Sequence, residues 1–382
     1  MFFCRSEQQS KLLRSTLRLN ELYLFSLPAA IARHGPPCYP TAQLPAQTST
    51  IFSPMTLWLT RSDVQKLVDM PAAIDAVADA YRSVYQGEAE VPVRSNIPVA
   101  AYEGSLMTMP AYLGGDVDAL GAKLISFYGI NPAKRGLPAI QGKVVLFDAE
   151  TGGLRALIDA ESVTALRTGA AGGVAARYLA RADARTLTIF GSGAQAPFQV
   201  EAAICERPIE QVLVLSRQSS HAEALAVLIA SRFGVSARAT VDIDGAVRAA
   251  DIVVTATSAH DPLFGGALLQ PGVQVTGIGS HVPEAREVDS LTLRRAKVIV
   301  DQASACLAEA GDLIQPIRAG RYDPGQIYAE IGAIVAGDLP GREDIGEITF
   351  FKSVGLAAQD LAVAGLVYLR AVAEGAGRQL EE

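Results

Sequence analysis

Residues 185–205, RTLTIFGSGAQAPFQVEAAIC, constrain the fold more than any other stretch. Thr186–Phe190 is a β-branched and aromatic run, Gly191-Ser192-Gly193 follows without a spacer, and a helical pattern begins near Ala194. Strand, glycine turn and helix in that order are what a dinucleotide-binding fold requires. Gly191 permits the tight turn, Gly193 lets backbone approach a pyrophosphate, and Ala196 takes the third small position, where helix and strand pack closely. The pyrophosphate would rest on the helix N-terminus over Ala194 and Gln195, where free N–H groups and the helix dipole favour an anion. Further apolar runs at Gln211–Leu215, 251–256 and 298–301, separated by helical segments, predict a doubly wound parallel sheet.

The second strand also speaks to cofactor choice. Leu215 is followed by Ser216-Arg217-Gln218, with no acid to bind ribose hydroxyls. Arg217 can pair with a 2′-phosphate instead, so NADPH is expected to be preferred, with NADH possible.

At 382 residues the chain is long enough for two or three domains, and 49% hydrophobic with 19% charged residues is an ordinary globular composition. A net charge of −7 and the absence of a long Lys/Arg tract argue against nucleic acid as partner. Neither the four cysteines nor the four histidines show metal-ligand spacing, so no metal is expected, and the sequence has no apolar run of membrane-spanning length. A cytoplasmic enzyme is the expectation. Residues 1–54 stand apart: five Lys/Arg against two acids, many Ser, Thr, Gln and Pro, and one short apolar piece at 22–32. They read either as a targeting segment or as sequence upstream of a true start at Met55, and the second reading is favoured.

From Met55 the chain reads as α+β: a strand at Thr56–Leu59, a helix over 71–86, strands at 106–111, 120–127 and 143–148, a loop over 131–142, and a long helix over 162–180. Two prolines in VPVRSNIPV leave Arg94 on an extended edge segment. Lys123 lies inside an apolar strand, pointing either to solvent or into a cleft; spacing does not decide which. Arg167 sits on the helix that runs into the first strand of the nucleotide-binding half, close to a seam between domains, where ligand sites gather. The Ala-rich C-terminal helix over 356–374 needs somewhere to bury its apolar face. Packing on the N-terminal half would make that domain discontinuous: 55–173 with 345–382, around a nucleotide-binding domain at 174–344.

Taken together, VPVR at 91–94, GAK at 121–123, GLP at 136–138, LFDAETG at 146–152, TALRTGAA at 164–171, GSGAQA at 191–196, EAGDL at 309–313 and KSVG at 352–355 resemble the ornithine cyclodeaminase and mu-crystallin family over everything from Met55 onward. The resemblance implies a homodimer built by the first domain, and chemistry at a carbon bearing an amine or imine nitrogen and a carboxylate. It implies that Arg94 grips the substrate carboxylate, Lys123 stands beside the reacting nitrogen, and Arg167 bridges cofactor and substrate. Thr168, Thr255, Thr257, Gly277, Ile278 and Ser353 fall where the family contacts cofactor, and Val354 where it contacts substrate.

One departure bears on the reaction. True cyclodeaminases of the family carry an aspartate in a G-x-D-x-P segment, and here that segment is Gly279-Ser280-His281-Val282-Pro283. A carboxylate could hold the attacking ammonium of ornithine; an imidazole supplies no negative charge, but at its ordinary pKa could donate a proton to an imine. The expectation is an NAD(P)H-dependent oxidoreductase acting on the C=N or CH–NH group of small 2-amino or cyclic imino acids, with His281 as a candidate proton source. The alternatives are an ornithine cyclodeaminase using NAD catalytically, and a non-enzymatic ligand-binding protein like mu-crystallin.

Overall fold

Two eight-stranded sheets divide the described residues, and the order in which strands enter them determines where a site can form. The structure, a computed structural model, describes residues 56–380 except 116, so the expectation for residues 1–54 lies outside the described residues. In the first sheet the strands run in the order Arg378–Leu380, Thr56–Leu59, Leu154–Asp159, Ile140–Phe147, Ala119–Phe127, Gly104–Leu113 and Ala89–Glu90, and Ser95–Val99 also pairs with Gly104–Leu113. Only Thr56–Leu59 and Leu154–Asp159 are parallel; every other pair is antiparallel.

The second sheet is parallel throughout, in the order Ser236–Ala239, Gln211–Leu215, Thr186–Phe190, Ile252–Thr255, Gln274–Gly277, Thr349–Lys352, Lys297–Val300 and Ile327–Glu330. Its inner strands, from Gln211–Leu215 to Lys297–Val300, are buried along nearly their whole length, as a sheet covered on both faces requires, whereas the edge strands Ser236–Ala239 and Ile327–Glu330 are mostly half-buried or exposed. The chain begins this sheet in the middle, at Thr186–Phe190, and winds outward in both directions, so the α/β expectation of a doubly wound parallel sheet beside an α+β half holds.

Thr349–Lys352 departs from the sequence reading. Residues 345–382 were expected to join the first half, yet this strand is inserted into the second sheet between Gln274–Gly277 and Lys297–Val300. Thr349, Phe350, Phe351 and Lys352 are all buried, which a strand flanked on both edges demands. The helix that follows, Ala357–Glu374, does pack on the first sheet as expected. Another difference is local: within 131–142, read as loop, Asn131–Arg135 is helical, with proline in its first turn and Gly136 at φ 63 ending it.

Two segments therefore cross between the sheets. Ala160–Leu179 leads from Leu154–Asp159 into Thr186–Phe190, with Asp159 capping it through Ser162 N–H at 3.0 Å. Residues 353–356 lead from Thr349–Lys352 into Ala357–Glu374. The helix Met70–Gln86, started by Asp69 and ended by Gly87 at φ 74, packs against both Ala160–Leu179 and Ala357–Glu374. Its inward stripe is Met70, Ala73, Ile74, Val77, Ala78 and Tyr81, the i, i+3, i+4 spacing of one buried helix face.

Candidate active site

The glycine turn is built as its residue types require. Gly191 has φ 108, a conformation that L side chains rarely adopt, and its N–H donates to Leu215 O at 2.8 Å. A β-carbon there would run into the carbonyl oxygen of Ala256, whereas one at Gly193 would meet nothing. The space over Gly193 is the open ground a pyrophosphate needs beside backbone. The helix starts at Ala196 rather than near Ala194; Ala194 and Gln195 belong to the turn, and Ala196 is fully buried where helix and strand pack closely. The Ser192 and Ser216 hydroxyls meet at 2.8 Å, tying the turn to the end of the next strand. Arg217 and Gln218 follow with exposed side chains. These residues fit a dinucleotide phosphate.

The loops beyond Ile252–Thr255 and Gln274–Gly277 are held by a residue the sequence reading passed over. Glu287, fully buried, accepts from Thr257 N–H and Thr257 Oγ1 at 2.7 Å, Thr255 Oγ1 at 2.9 Å and Gly279 N–H at 2.8 Å. Burial pushes the Glu287 carboxyl up from its ordinary value, against the pull of Lys352. Thr255 and Thr257, expected to contact cofactor, donate their hydroxyl hydrogens to Glu287 and so shape the loop there. Gly277 is buried, Ile278 half-buried, and the half-buried Thr168 offers its carbonyl to Gln199 Nε2 at 2.6 Å.

Lys123 points inward. In Ala119–Phe127 it pairs with Met109 on one side and Val144 on the other, both buried, and it is itself 1% exposed. Its ammonium lies 2.7 Å from Asp360 Oδ2 and 2.9 Å from Asp360 Oδ1. Asp360 Oδ1 also accepts from Arg167 Nε at 3.0 Å, and Gln359 Oε1 accepts from Arg167 Nη1 at 2.9 Å. Burial lowers the Lys123 pKa to about 8, opposed by Asp360 and assisted by the positive charges of Arg167 and Arg94.

Arg94 reaches the same place from its edge segment. Its Nη2 donates to Val354 O at 3.1 Å and Gly355 O at 2.6 Å, and its Nε lies 3.1 Å from Glu309 Oε1. The 353–355 loop is shaped from beneath by Asp301, whose Oδ2 accepts from Ser353 Oγ and Val354 N–H at 2.8 Å and Gly355 N–H at 2.9 Å. Ser353, expected at the cofactor, thus spends its hydroxyl on Asp301. Among the described residues Arg94, Lys123 and Arg167 are paired with two carboxylates, Asp360 and Glu309, which leaves a positive balance suited to a carboxylate substrate. A pocket opens beside them, walled by Val91, Arg94, Met109, Ala308, Glu309 and Leu356. A larger cavity between Arg155, Tyr368 and Val372 contains none of these groups.

His281 is placed differently from the three cations. Its ring is exposed to solvent on one side, and Nδ1 is 3.0 Å from Gly279 O; a carbonyl only accepts, so Nδ1 carries the hydrogen. Loss of hydration holds its pKa below the ordinary imidazole value; the Gly279 bond opposes this, while Lys352, Arg94 and Arg167 add to it. A neutral ring with hydrogen on Nδ1 presents Nε2 as an acceptor, so the proton supply expected from an unperturbed imidazole is not what this environment favours.

The site's framework matches a known group of proteins over almost its full length. Residues 55–375 match the model of the ornithine cyclodeaminase/mu-crystallin family. The chain belongs to that family. Among curated relatives, a Delta(1)-pyrroline-2-carboxylate reductase of Bacillus cereus is 39% identical over 326 residues, 85% of this chain and 99% of the relative. The solved structure of Thermococcus litoralis Delta(1)-pyrroline-2-carboxylate reductase with NADH and L-proline aligns with a TM-score of 0.81 at 39% identity, covering 85% of this chain and 100% of that one. An archaeal alanine dehydrogenase dimer with bound NAD aligns with a TM-score of 0.80 at 34% identity, covering 86% of this chain and 99% of that one.

Proposed function

We propose that this protein is an NAD(P)H-dependent reductase of small imino acids, of which pyrroline-2-carboxylate is the first to test. The observation that carries the reading is a buried lysine, Lys123, held by Asp360 between Arg94 and Arg167 at the seam between the two sheets. When bound, the dinucleotide supplies the hydride that reduces the imine carbon. Arg94 holds the substrate carboxylate, its planar guanidinium suiting a two-oxygen anion once Glu309 gives way. Arg167, anchored through Nε and Nη1, keeps Nη2 for cofactor and substrate.

Lys123 is the proton donor in this reading. An imine accepts hydride readily only when its nitrogen is protonated or firmly hydrogen-bonded, and an ammonium with a pKa of about 8 is charged at neutral pH yet gives up its proton with little cost. The proton passes from Nζ to the substrate nitrogen as the C–H bond forms, and Lys123 regains one from solvent. His281 is not one of the walls of the pocket beside Arg94 and is read as a neutral acceptor near the cations. Ornithine cyclodeamination fits less well, because His281 stands where a carboxylate would receive the attacking ammonium.

The finer parts of the reading are these. Thr168, Gly191, Gly193, Ala194, Gln195, Ser216, Gln218, Gly277 and Ile278 line the cofactor site, Val354 touches substrate, and Arg217 gives a preference for NADPH. Residues 55–173 with 345–382 form the substrate and dimerisation domain around a nucleotide-binding domain at 174–344, adjusted by the strand Thr349–Lys352. The protein is a homodimer: Ile97, Leu106 and Leu124 share the sheet face opposite Lys123, exposed at 57%, 41% and 39%. Among the described residues no helix is long and apolar enough to cross a membrane. A cytoplasmic location follows from where the cofactor pool lies.

Purified protein should oxidise NADPH with pyrroline-2-carboxylate. Lys123→Met should lower kcat/KM by roughly 10²- to 10⁴-fold, the usual worth of a positioned acid. His281→Asn, which keeps an N–H for Gly279 O, should stay within about ten-fold of wild type, as loss of a secondary contact allows. Proline formation from ornithine with catalytic NAD, without reductase activity on any imine, would overturn the reading.

A further inference from the structure

We propose that Asp360 is the positioning residue of this site, a single carboxylate that sets both the charge of Lys123 and the orientation of Arg167. The inference deepens the imine-reductase reading and rests on it for the catalytic meaning of Lys123. Asp360 occupies the first turn of Ala357–Glu374, where Ala357, Ala358, Leu361, Ala362, Val363 and Ala364 are also buried. A carboxylate in such surroundings costs several kcal/mol unless its oxygens are matched by donors. Here they are matched by two cations from two different elements. Lys123 comes from the strand Ala119–Phe127, and Arg167 from the helix Ala160–Leu179, both onto Oδ1, at 2.9 and 3.0 Å.

The neighbouring Gln359 completes the fixation. Its Oε1 accepts from Arg167 Nη1 at 2.9 Å and from Leu356 N–H at 3.0 Å, and its Nε2 reaches the hydroxyl of Tyr81. Arg167 is thereby held through two of its three guanidinium nitrogens, Nε and Nη1. Rotating it would break bonds to Asp360 and Gln359 together.

The charge argument is independent of the packing one. Among the described residues, the charged groups that bear most on the Lys123 ammonium are Asp360 from its helix, Arg167 from Ala160–Leu179, and Arg94 from the segment before Ser95–Val99. Of these, Asp360 alone is negative. Without it Lys123 would be a buried amine facing two guanidiniums, and the neutral form would prevail. A neutral amine cannot donate the proton that imine reduction consumes.

The test uses the full chain with Asp360→Asn and Asp360→Glu. The Lys123 titration is followed by NMR of lysine labelled with ¹³C at Cε, assigned with Lys123→Met, which requires no turnover. Asp360→Asn should move the midpoint down by at least about one pH unit, the shift that loss of a contacting charge produces. The alkaline limb of kcat/KM for imine reduction should move with it. An unmoved midpoint in a folded Asp360→Asn protein would overturn the proposal. Asp360→Glu keeps the charge but displaces it by a methylene, so its midpoint should stay near wild type while kcat/KM falls on the order of 10²-fold, the effect of misplacing a reacting group. If Asp360→Asn does not fold, unchanged kinetics in Asp360→Glu would overturn the proposal alone. A wild type that titrates as expected but reduces no imine would refute the functional reading and leave the Asp360–Lys123 relation standing.

Discussion

Gly355 lies against Arg167 so closely that a β-carbon on the glycine would collide with the guanidinium. The glycine also has φ 81, a left-handed conformation, and its carbonyl receives Arg94 Nη2 at 2.6 Å. One residue without a side chain therefore lets two arginines approach the same loop. Gly355→Ala should displace Arg167 and cost roughly 1–3 kcal/mol of stability from backbone strain. A matched pair of denaturant melts and NADPH fluorescence titrations would check this; unchanged cofactor affinity would show that Arg167 can move aside freely.

Reduction and oxidation should respond to pH in opposite senses. With Lys123 acting as an acid whose pKa is about 8, kcat/KM for imine reduction should fall as pH rises through that value, and amino-acid oxidation should rise. Stability carries a related signature. Lys123 titrates at about 8 when folded and at its ordinary 10.5 when unfolded, so the unfolded chain binds more protons between those values. The cost of burying the charge is fully present below about pH 8 and is relieved as pH rises toward 10.5. Lys123→Met should flatten both profiles in that window, as rate measurements and urea melts across pH would reveal.

Lys352 and Asp312 form an ion pair at 2.9 Å with both side chains fully buried, and Asp312 Oδ1 also accepts from Glu287 N–H at 2.6 Å and Val288 N–H at 3.1 Å. Lys352→Met would leave a buried carboxylate without its counter-charge. The expected loss is about 3–5 kcal/mol, with the midpoint of urea unfolding as readout. A loss under about 1 kcal/mol, the scale of an exposed pair, would mean that Asp312 is adequately served by its backbone donors.

Arg217 is exposed just past the strand Gln211–Leu215, where a 2′-phosphate would sit in a dinucleotide fold. Arg217→Ala should lower kcat/KM with NADPH by roughly ten- to a hundred-fold, the worth of one charge-assisted contact, and leave NADH almost unaffected. Equal losses with both cofactors would assign the arginine to folding rather than to selectivity.

What could be read from the chain beforehand followed how local each feature is. The turn at Gly191 and Gly193 was legible because its strand, glycines and helix are contiguous, and the long helix carrying Arg167 because its pattern is sustained. Lys123 was ambiguous because alternation separates two faces of a strand without saying which one is inward; the answer lay in Asp360, 237 residues away in sequence. Asp360 itself left a usable trace, a Gln-Asp pair amid Ala and Leu with no other polar residue in its first turns, which implies buried partners. Glu287 left none, since its partners Thr255, Thr257 and Gly279 meet only once two parallel strands are side by side. His281 was visible as a substitution, but its lowered pKa depends on cations brought near by folding.

The insertion of Thr349–Lys352 between Gln274–Gly277 and Lys297–Val300 has a bearing on how the molecule is made. A chain emerging from a ribosome can form the outer part of the parallel sheet, from Ser236–Ala239 to Gln274–Gly277, well before the last strand exists. The gap beside Gln274–Gly277 stays open until residue 352 has left the exit tunnel, and Asp360 arrives only after it. Lys123 and Arg167 are thus synthesised long before their shared carboxylate, 193 residues separating Arg167 from Asp360. Any fragment ending ahead of the last strand should be caught with an unpaired strand edge, a species that chaperones or proteases would recognise.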